Sequence, residues 1–347
     1  MNTKPLVTAV VIPTGIGASI GGYAGDAGPA LKAIASVSDY CITHPNVSNA
    51  AIFQTLPENG LYVEGYALDR FFMGEWALHL HPSADNRLGV VFDAGIEPAM
   101  RQFQDNVLAA TAQSFGLKVV AVESTPEPVQ LSLTQDTSGA TSGLCLNPET
   151  IFTACERVIS RGANALAICC RMPEETPDLA LSYARGRGVD PIGGIEAMLS
   201  HAVVARYQLP AAHAPVFSLK DALDTLHQAT QQALDPRLAA EWITMSYLPC
   251  ILQGLARAPQ YQIYSESCSE FLPETLSIQD LAALVVPSNA LGGLPVLACA
   301  ERKIPIIAVA DNTTVMKMTA KALPPSWAIH TVQTYAEAAA WLNRLIT

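Results

Sequence analysis

The sequence predicts an α/β protein with two Rossmann-like lobes, each a mainly parallel sheet with flanking helices. Three observations carry that expectation. Apolar runs of strand length alternate with helix-length amphipathic stretches, as a parallel sheet with helical crossovers requires. Half of the 347 residues are hydrophobic and only 15% are charged, a balance suited to strands buried on both faces. The chain is also long enough to divide its core between two lobes.

The elements follow in order. The run "LVTAVVI" reads as a buried strand, and residues 13–29, "PTGIGASIGGYAGDAGP", place six glycines in seventeen residues directly after it. Gly28-Pro29 marks the start of the helix "PALKAIASVSD". A short strand then precedes the polar loop "THPNVSNA". "RLGVVFDAGIEP" is a strand leading into the helix "AMRQFQDNVLAATAQSFG" and on to the strand "LKVVAVE". Residues 129–149 read as a strand and an exposed Ser/Thr/Gly-rich connection, which sets the expected division at 1–135 and 136–347. The second part begins with the capped helix "PETIFTACERVISRG", the strand "ANALAICC" and a helix entered through "DPIGG". A helical insertion follows around 216–246, broken at "DPR". The end returns to alternation with "LAALVVP", "SNALGG", the helix "LPVLACAERK", the strand "IPIIAVA" and an amphipathic last helix.

Charge and cysteine use exclude several classes. A net charge of −11 offers no broad basic surface for a nucleic-acid backbone. No apolar segment approaches the ~18 residues of a membrane span. The opening "MNTKPLVTAVVIPTG" resembles a signal peptide superficially, but its apolar run is short, ends at Pro13 and reads as a strand. Eight cysteines, without a CxxC pair and mostly among apolar neighbours, fit buried thiols in a reducing compartment, so a cytoplasmic address is expected. The composition leaves room for a homo-oligomer.

The glycine loop invites a dinucleotide reading, which fails because position 20 is Ile and the helix waits until Pro29. What remains is a backbone cradle for an anion, with Gly15, Gly17, Gly21 and Gly22 permitting close approach and Tyr23 and Asp26 as its polar side chains. A turn built only for tight packing is the alternative. His44 can exchange a proton near neutral pH, and Asn46 and Asn49 can orient a carbonyl or carboxylate. Arg185 and Arg187 in "RGRG" can clamp an anion beside a helix start. Asp93 and Glu97 end a buried strand, Glu97 being better suited to a helix N-terminus. His213, in "AAHAP", reads as a loop histidine available for proton transfer. Ser288, Asn289, Gly292, Gly293 and Asp311 are delivered to one carboxyl edge by neighbouring strands. His79 and His81 form an HxH pair without an identifiable third ligand, so no metal site is assigned, and no motif names a cofactor. No GxSxG elbow or P-loop occurs.

Read together, "PTGIGASIGGYAGD", "ITHPNVSNA", "LYVEGYALDRF", "GVDPIGGIEAMLSH", "AHAP" and "VVPSNALGGLPVLACAERKIPIIAV" resemble an uncharacterised family of cyanobacteria and plant plastids across nearly the whole chain. That resemblance implies an intracellular metabolic role and brings no catalytic assignment. Two short segments, "GPALKAIA" after its glycine pair and "ALGGLPVLACAERKIPIIAV", are similar to glycosyltransferases of the two-Rossmann-domain type, which would imply a sugar-nucleotide substrate. The leading expectation is an enzyme acting on a small anionic metabolite in a cleft between the lobes. A lyase, isomerase or hydrolase with His44, Asp26 and His213 moving protons fits this reading. A metabolite-binding regulator without chemistry is the other class.

Overall fold

A computed structural model describes residues 4–13, 15–22, 26–48, 55–80, 86–135, 141–173, 190, 192–231, 233–237, 239, 244–264 and 272–345. It is an α/β fold in which the chain separates into two compact units. The units do not follow one cut at 135/136. The first comprises Met1–Ser48, Leu56–Pro82 and Pro259–Thr347, and the second Asn49–Thr55 and Ser83–Ala258. Strand pairing gives the reason: the first strand of the chain takes its neighbour from the last third.

In the first unit that pair is β1 (Val7–Val10) and β13 (Leu281–Pro287), parallel, with Val10 beside Val285. The other neighbours are β2 (Tyr40–Thr43) and β3 (Gly60–Tyr62) on one side, β14 (Ile306–Val309) and β15 (Ile329–Val332) on the other. All pairings in this six-stranded sheet are parallel. Its central strands are apolar apart from Thr8 because both faces are covered. Helices α1 (Gly28–Ala35) and α10 (Tyr335–Asn343) bury Leu31, Ile34 and Leu342 against Val10, Val285 and Ile307. Helix α9 (Leu294–Glu301) packs on β13, β14 and α3 (Gly65–Met73). Glu64 caps α3 by accepting from the Tyr66 and Ala67 amides at 2.7 and 3.4 Å, and Gly74 ends it at φ 80°. A three-stranded antiparallel sheet sets β4 (Trp76–His79) between β11 (Gln260–Ile263) and β12 (Thr275–Leu276).

The second unit carries a four-stranded parallel sheet in the order β10 (Ala211–Val216), β9 (Ala165–Arg171), β5 (Leu88–Phe92), β6 (Val119–Ser124). Helix α5 (Pro148–Ser160) packs on β5 and β6, and α8 (Leu248–Ala256) on β9, β10 and α4 (Pro98–Phe115). The segment expected as a strand and open connection is instead an antiparallel hairpin, β7 (Leu131–Gln135) and β8 (Thr141–Cys145). It is covered by α6 (Gly193–Tyr207), so closely that a Cβ on Gly143 would stand 2.4 Å from Ile195. Helix α7 (Leu219–Gln231) begins the expected helical insertion.

The seven described cysteines are free thiols, and burial pushes Cys41 and Cys155 up to about 12, leaving them chemically quiet. Among the described residues no helix is long and apolar enough to cross a membrane.

Candidate functional site

Numbered along its own sheet, the first unit's strands run 3-2-1-4-5-6, so the winding reverses between β1 and β13. At such a reversal the connections leave in opposite directions and open a crevice beyond the strands' carboxyl ends. The glycine loop follows β1 and "SNALGG" follows β13, so both lie at this one edge. The sequence had placed them on separate lobes. Their meeting belongs to a single sheet.

The loop has two halves with different work. Gly15 and Gly17 adopt φ of 69° and 55°, while Ile16 between them keeps a negative φ. Alternating signs turn successive amides toward the same side, the geometry of an anion nest. No acceptor among the described residues takes the amides of Gly15, Ile16, Gly17 or Ala18. Open space faces Gly15, where an added Cβ would meet nothing within 4 Å.

The second half is clamped. Buried Asn312 accepts from the Ile20 amide at 3.0 Å and donates to the Ile20 carbonyl at 2.8 Å and to Tyr335 Oη at 2.7 Å. Ser19 exchanges bonds with Thr313 at 2.7 and 2.9 Å, and the Val315 amide reaches the Ile16 carbonyl at 2.9 Å. Gly21 and Gly22 are therefore packing glycines. A Cβ on Gly21 would lie 2.7 Å from Ala27 Cβ, and one on Gly22 would lie 2.1 Å from the Ala18 carbonyl oxygen.

Several residues expected to meet ligand serve this scaffold. Asp26 Oδ1 accepts from the Gly21 amide at 2.7 Å, which makes it a brace of the loop. Asn289 holds Thr314 through its amide and hydroxyl, at 3.2 and 2.9 Å, and through its carbonyl at 3.0 Å. Asp311 is exposed and accepts from Gln333 Nε2. Gly292 and Gly293 remain exposed at the start of α9, whose N-cap has no side-chain acceptor, and Ser288 is half-buried after β13. Tyr23, Asn49, Arg185 and Arg187 lie outside the described residues. Asn46 belongs to α2 (Pro45–Ser48), and its side chain is outside them as well.

His44 follows β2 directly and is buried at 7% exposure. Its Nε2 accepts from the Ile12 amide at 3.1 Å, so the ring proton sits on Nδ1. Burial lowers its pKa to about 4. At neutral pH the ring is thus uncharged, with its proton on Nδ1. Among the described residues Nδ1 has no partner. A dinucleotide site would want an acidic residue beyond the second strand, and His44 stands there instead.

Sequence reasoning passed over Thr43. Its hydroxyl oxygen is fully buried and has no hydrogen-bond partner among the described residues, which costs about 1–3 kcal/mol. Its signal was positional: a hydroxyl closing an otherwise apolar half-strand, next to a histidine.

In the second unit His213 lies within strand β10, which corrects the loop reading. Its Nε2 stands 3.3 Å from Glu196 Oε2 and its Nδ1 3.1 Å from Ser200 Oγ, both on α6. Ser200 is 1% exposed in mid-helix and bonds the Ala197 carbonyl at 3.2 Å, so the triad-like order fastens β10 to α6. Buried Asp93 accepts from the Gly95, Val129 and Arg171 amides at 2.8, 3.0 and 3.1 Å. It joins three segments and leaves little for a metal. Glu97 occupies the N-cap position of α4, but its carboxylate accepts from the Leu219 amide at 3.1 Å and so serves the start of α7. His79 Nδ1 bonds Thr275 Oγ1 at 3.2 Å, and His81 lies outside the described residues.

The family whose sequence pattern matches residues 7–345 is described as a protein of unknown function, DUF3326. This chain belongs to the DUF3326 family. A relative from Synechococcus sp. (strain ATCC 27144 / PCC 6301 / SAUG 1402/1), named an uncharacterized lipoprotein, is 41% identical over 345 residues, covering 99% of this chain and 91% of its own. No solved structure matches. The resemblance to an uncharacterised cyanobacterial family agrees with both matches.

Proposed function

We propose that this protein is an intracellular metabolic enzyme that binds a small anionic metabolite at the carboxyl edge of the six-stranded sheet. The observation that carries the reading is that, among the described residues, no acceptor takes the amides from Gly15 to Ala18, which lie at the strand-order reversal with open space facing Gly15. The anion sits on these amides. His44 Nδ1–H donates to a carbonyl or hydroxyl of the same molecule, a polarising role suited to a lyase, isomerase or hydrolase. Proton transfer by Asp26 is dropped from the scheme, because its carboxylate already holds the loop.

A second reading, a metabolite sensor without chemistry, is favoured by that same engagement of Asp26, Asn289 and Asp311 in scaffold bonds. One experiment separates the two. Phosphate, phosphate esters and small carboxylates are screened for a rise in melting temperature, and the stabilising compounds are followed by mass spectrometry. Conversion supports the enzyme, and binding without conversion supports the sensor. If no anion stabilises the protein, or if Gly15→Ala leaves the stabilisation intact, the anion site is wrong.

A further inference from the structure

Resting on the anion reading above, we infer that the ligand carries a single anionic group joined to a neutral hydroxyl or carbonyl, received at the end of β2 by Thr43 and His44. A hydroxy- or keto-carboxylate and the phosphate monoester of a small polyol share this chemistry.

Three observations support it. Thr43 Oγ1 is a fully buried hydroxyl without a partner among the described residues, and such groups are rare in native proteins unless a water or ligand meets them. Thr43 stands two residues on from Cys41, which packs into the core under α1, so its side chain lies on that same face. The glycine loop packs on this face too, since a Cβ on Gly21 would touch Ile12 and Ala27 of the same core. Next to Thr43, His44 is bonded to Ile12 at the end of β1, and its other ring N–H meets no partner among the described residues.

The pair fixes the class of the distant group. A hydroxyl that donates or accepts, beside a donor, matches a neutral hydroxyl or carbonyl. Neither residue brings positive charge, so a second anion buried here would lose its hydration without compensation. The charged end is left to the amides of Gly15–Ala18.

The test titrates the full chain, as wild type and as Thr43→Val, with inorganic phosphate, glycerol 3-phosphate, glycerate and the dianion malonate. The wild type should bind glycerol 3-phosphate or glycerate about five- to tenfold more tightly than phosphate or malonate. Thr43→Val should erase that preference and leave phosphate binding unchanged. Without ligand, Thr43→Val should melt about 2–4 °C higher, because it removes a buried oxygen that nothing satisfies. If phosphate binds but the hydroxylated compounds gain nothing, or the variant keeps their preference, the inference is overturned and the anion site stands. A lower melting temperature for ligand-free Thr43→Val would also overturn it, by showing that a buried water already serves the hydroxyl. If no compound binds, including phosphate, the anion site fails and the inference falls with it.

Discussion

Lowering the pH should expose the cost of burying His44. With a pKa near 4 in the folded protein and 6.5 in the unfolded chain, the imidazole takes up its proton more readily when unfolded. Nothing is lost above pH 7. Between 6.5 and 4 the unfolded state binds more protons, so stability falls with pH, by about 2 kcal/mol at pH 5 and about 3 kcal/mol at pH 4 from this group. Below 4 the contribution is constant. His44→Gln keeps an acceptor for the Ile12 amide and cannot titrate, and other groups cancel when the two proteins are compared. Denaturant unfolding should therefore show the wild type losing about 2 kcal/mol relative to His44→Gln between pH 7.5 and 5. Nitrogen NMR should show an unprotonated Nε2 down to pH 5. A ring titrating near 6.5, or a variant whose stability follows the wild type at every pH, would refute the neutral-donor account and return His44 to the role of base.

The remaining expectations concern scaffold residues. Gly22→Ala should prevent normal folding, because its Cβ meets the Ala18 carbonyl oxygen at 2.1 Å, whereas Gly15→Ala should cost only about 1 kcal/mol for its left-handed backbone; thermal melts distinguish the two. Asp93→Asn places an amide where a carboxylate oxygen accepts, and should cost about 2–4 kcal/mol with faster hydrogen exchange at Val129 or Arg171. Asn312→Ala should release Ile20 and the buried Tyr335 hydroxyl, for a loss of about 2–4 kcal/mol and weaker anion binding. Cell fractionation tests the proposed cytoplasmic address, and recovery in the membrane fraction would reject it.

Elements with a strong apolar signature and a sharp boundary were legible in the sequence. "LAALVVP" became β13, and the proline-started helix after it became α9, because local composition and tertiary burial agree there. Strands β3, β11 and β12 went unread since each is two to four residues long and its pattern is completed only by its partners. His213 was misplaced because the prolines around "AAHA" suggested a loop, whereas Pro215 is accommodated within β10, an edge strand. At the site, glycine density was visible but not its division of labour. Separating Gly15 from Gly22 needs the position of Ala18, and seeing Asp26 as a brace needs the fold of the loop onto itself. Thr43 was invisible for a related reason: an unmet hydrogen bond has no sequence pattern.

The pairing of residues 7 and 281 has a consequence for how the protein comes to exist. During synthesis β1 emerges early and then waits, with its inner edge unpaired, while nearly the whole second unit is made. Strands β5, β6, β9 and β10 are complete by residue 216, so the later unit in the sequence can reach its native sheet first. The glycine loop acquires its clamp only when Asn312 leaves the ribosome. The clamped form of this loop is thus a late event in the life of the chain, and truncation a few dozen residues short of the end would leave one sheet formed and the glycine loop unsupported.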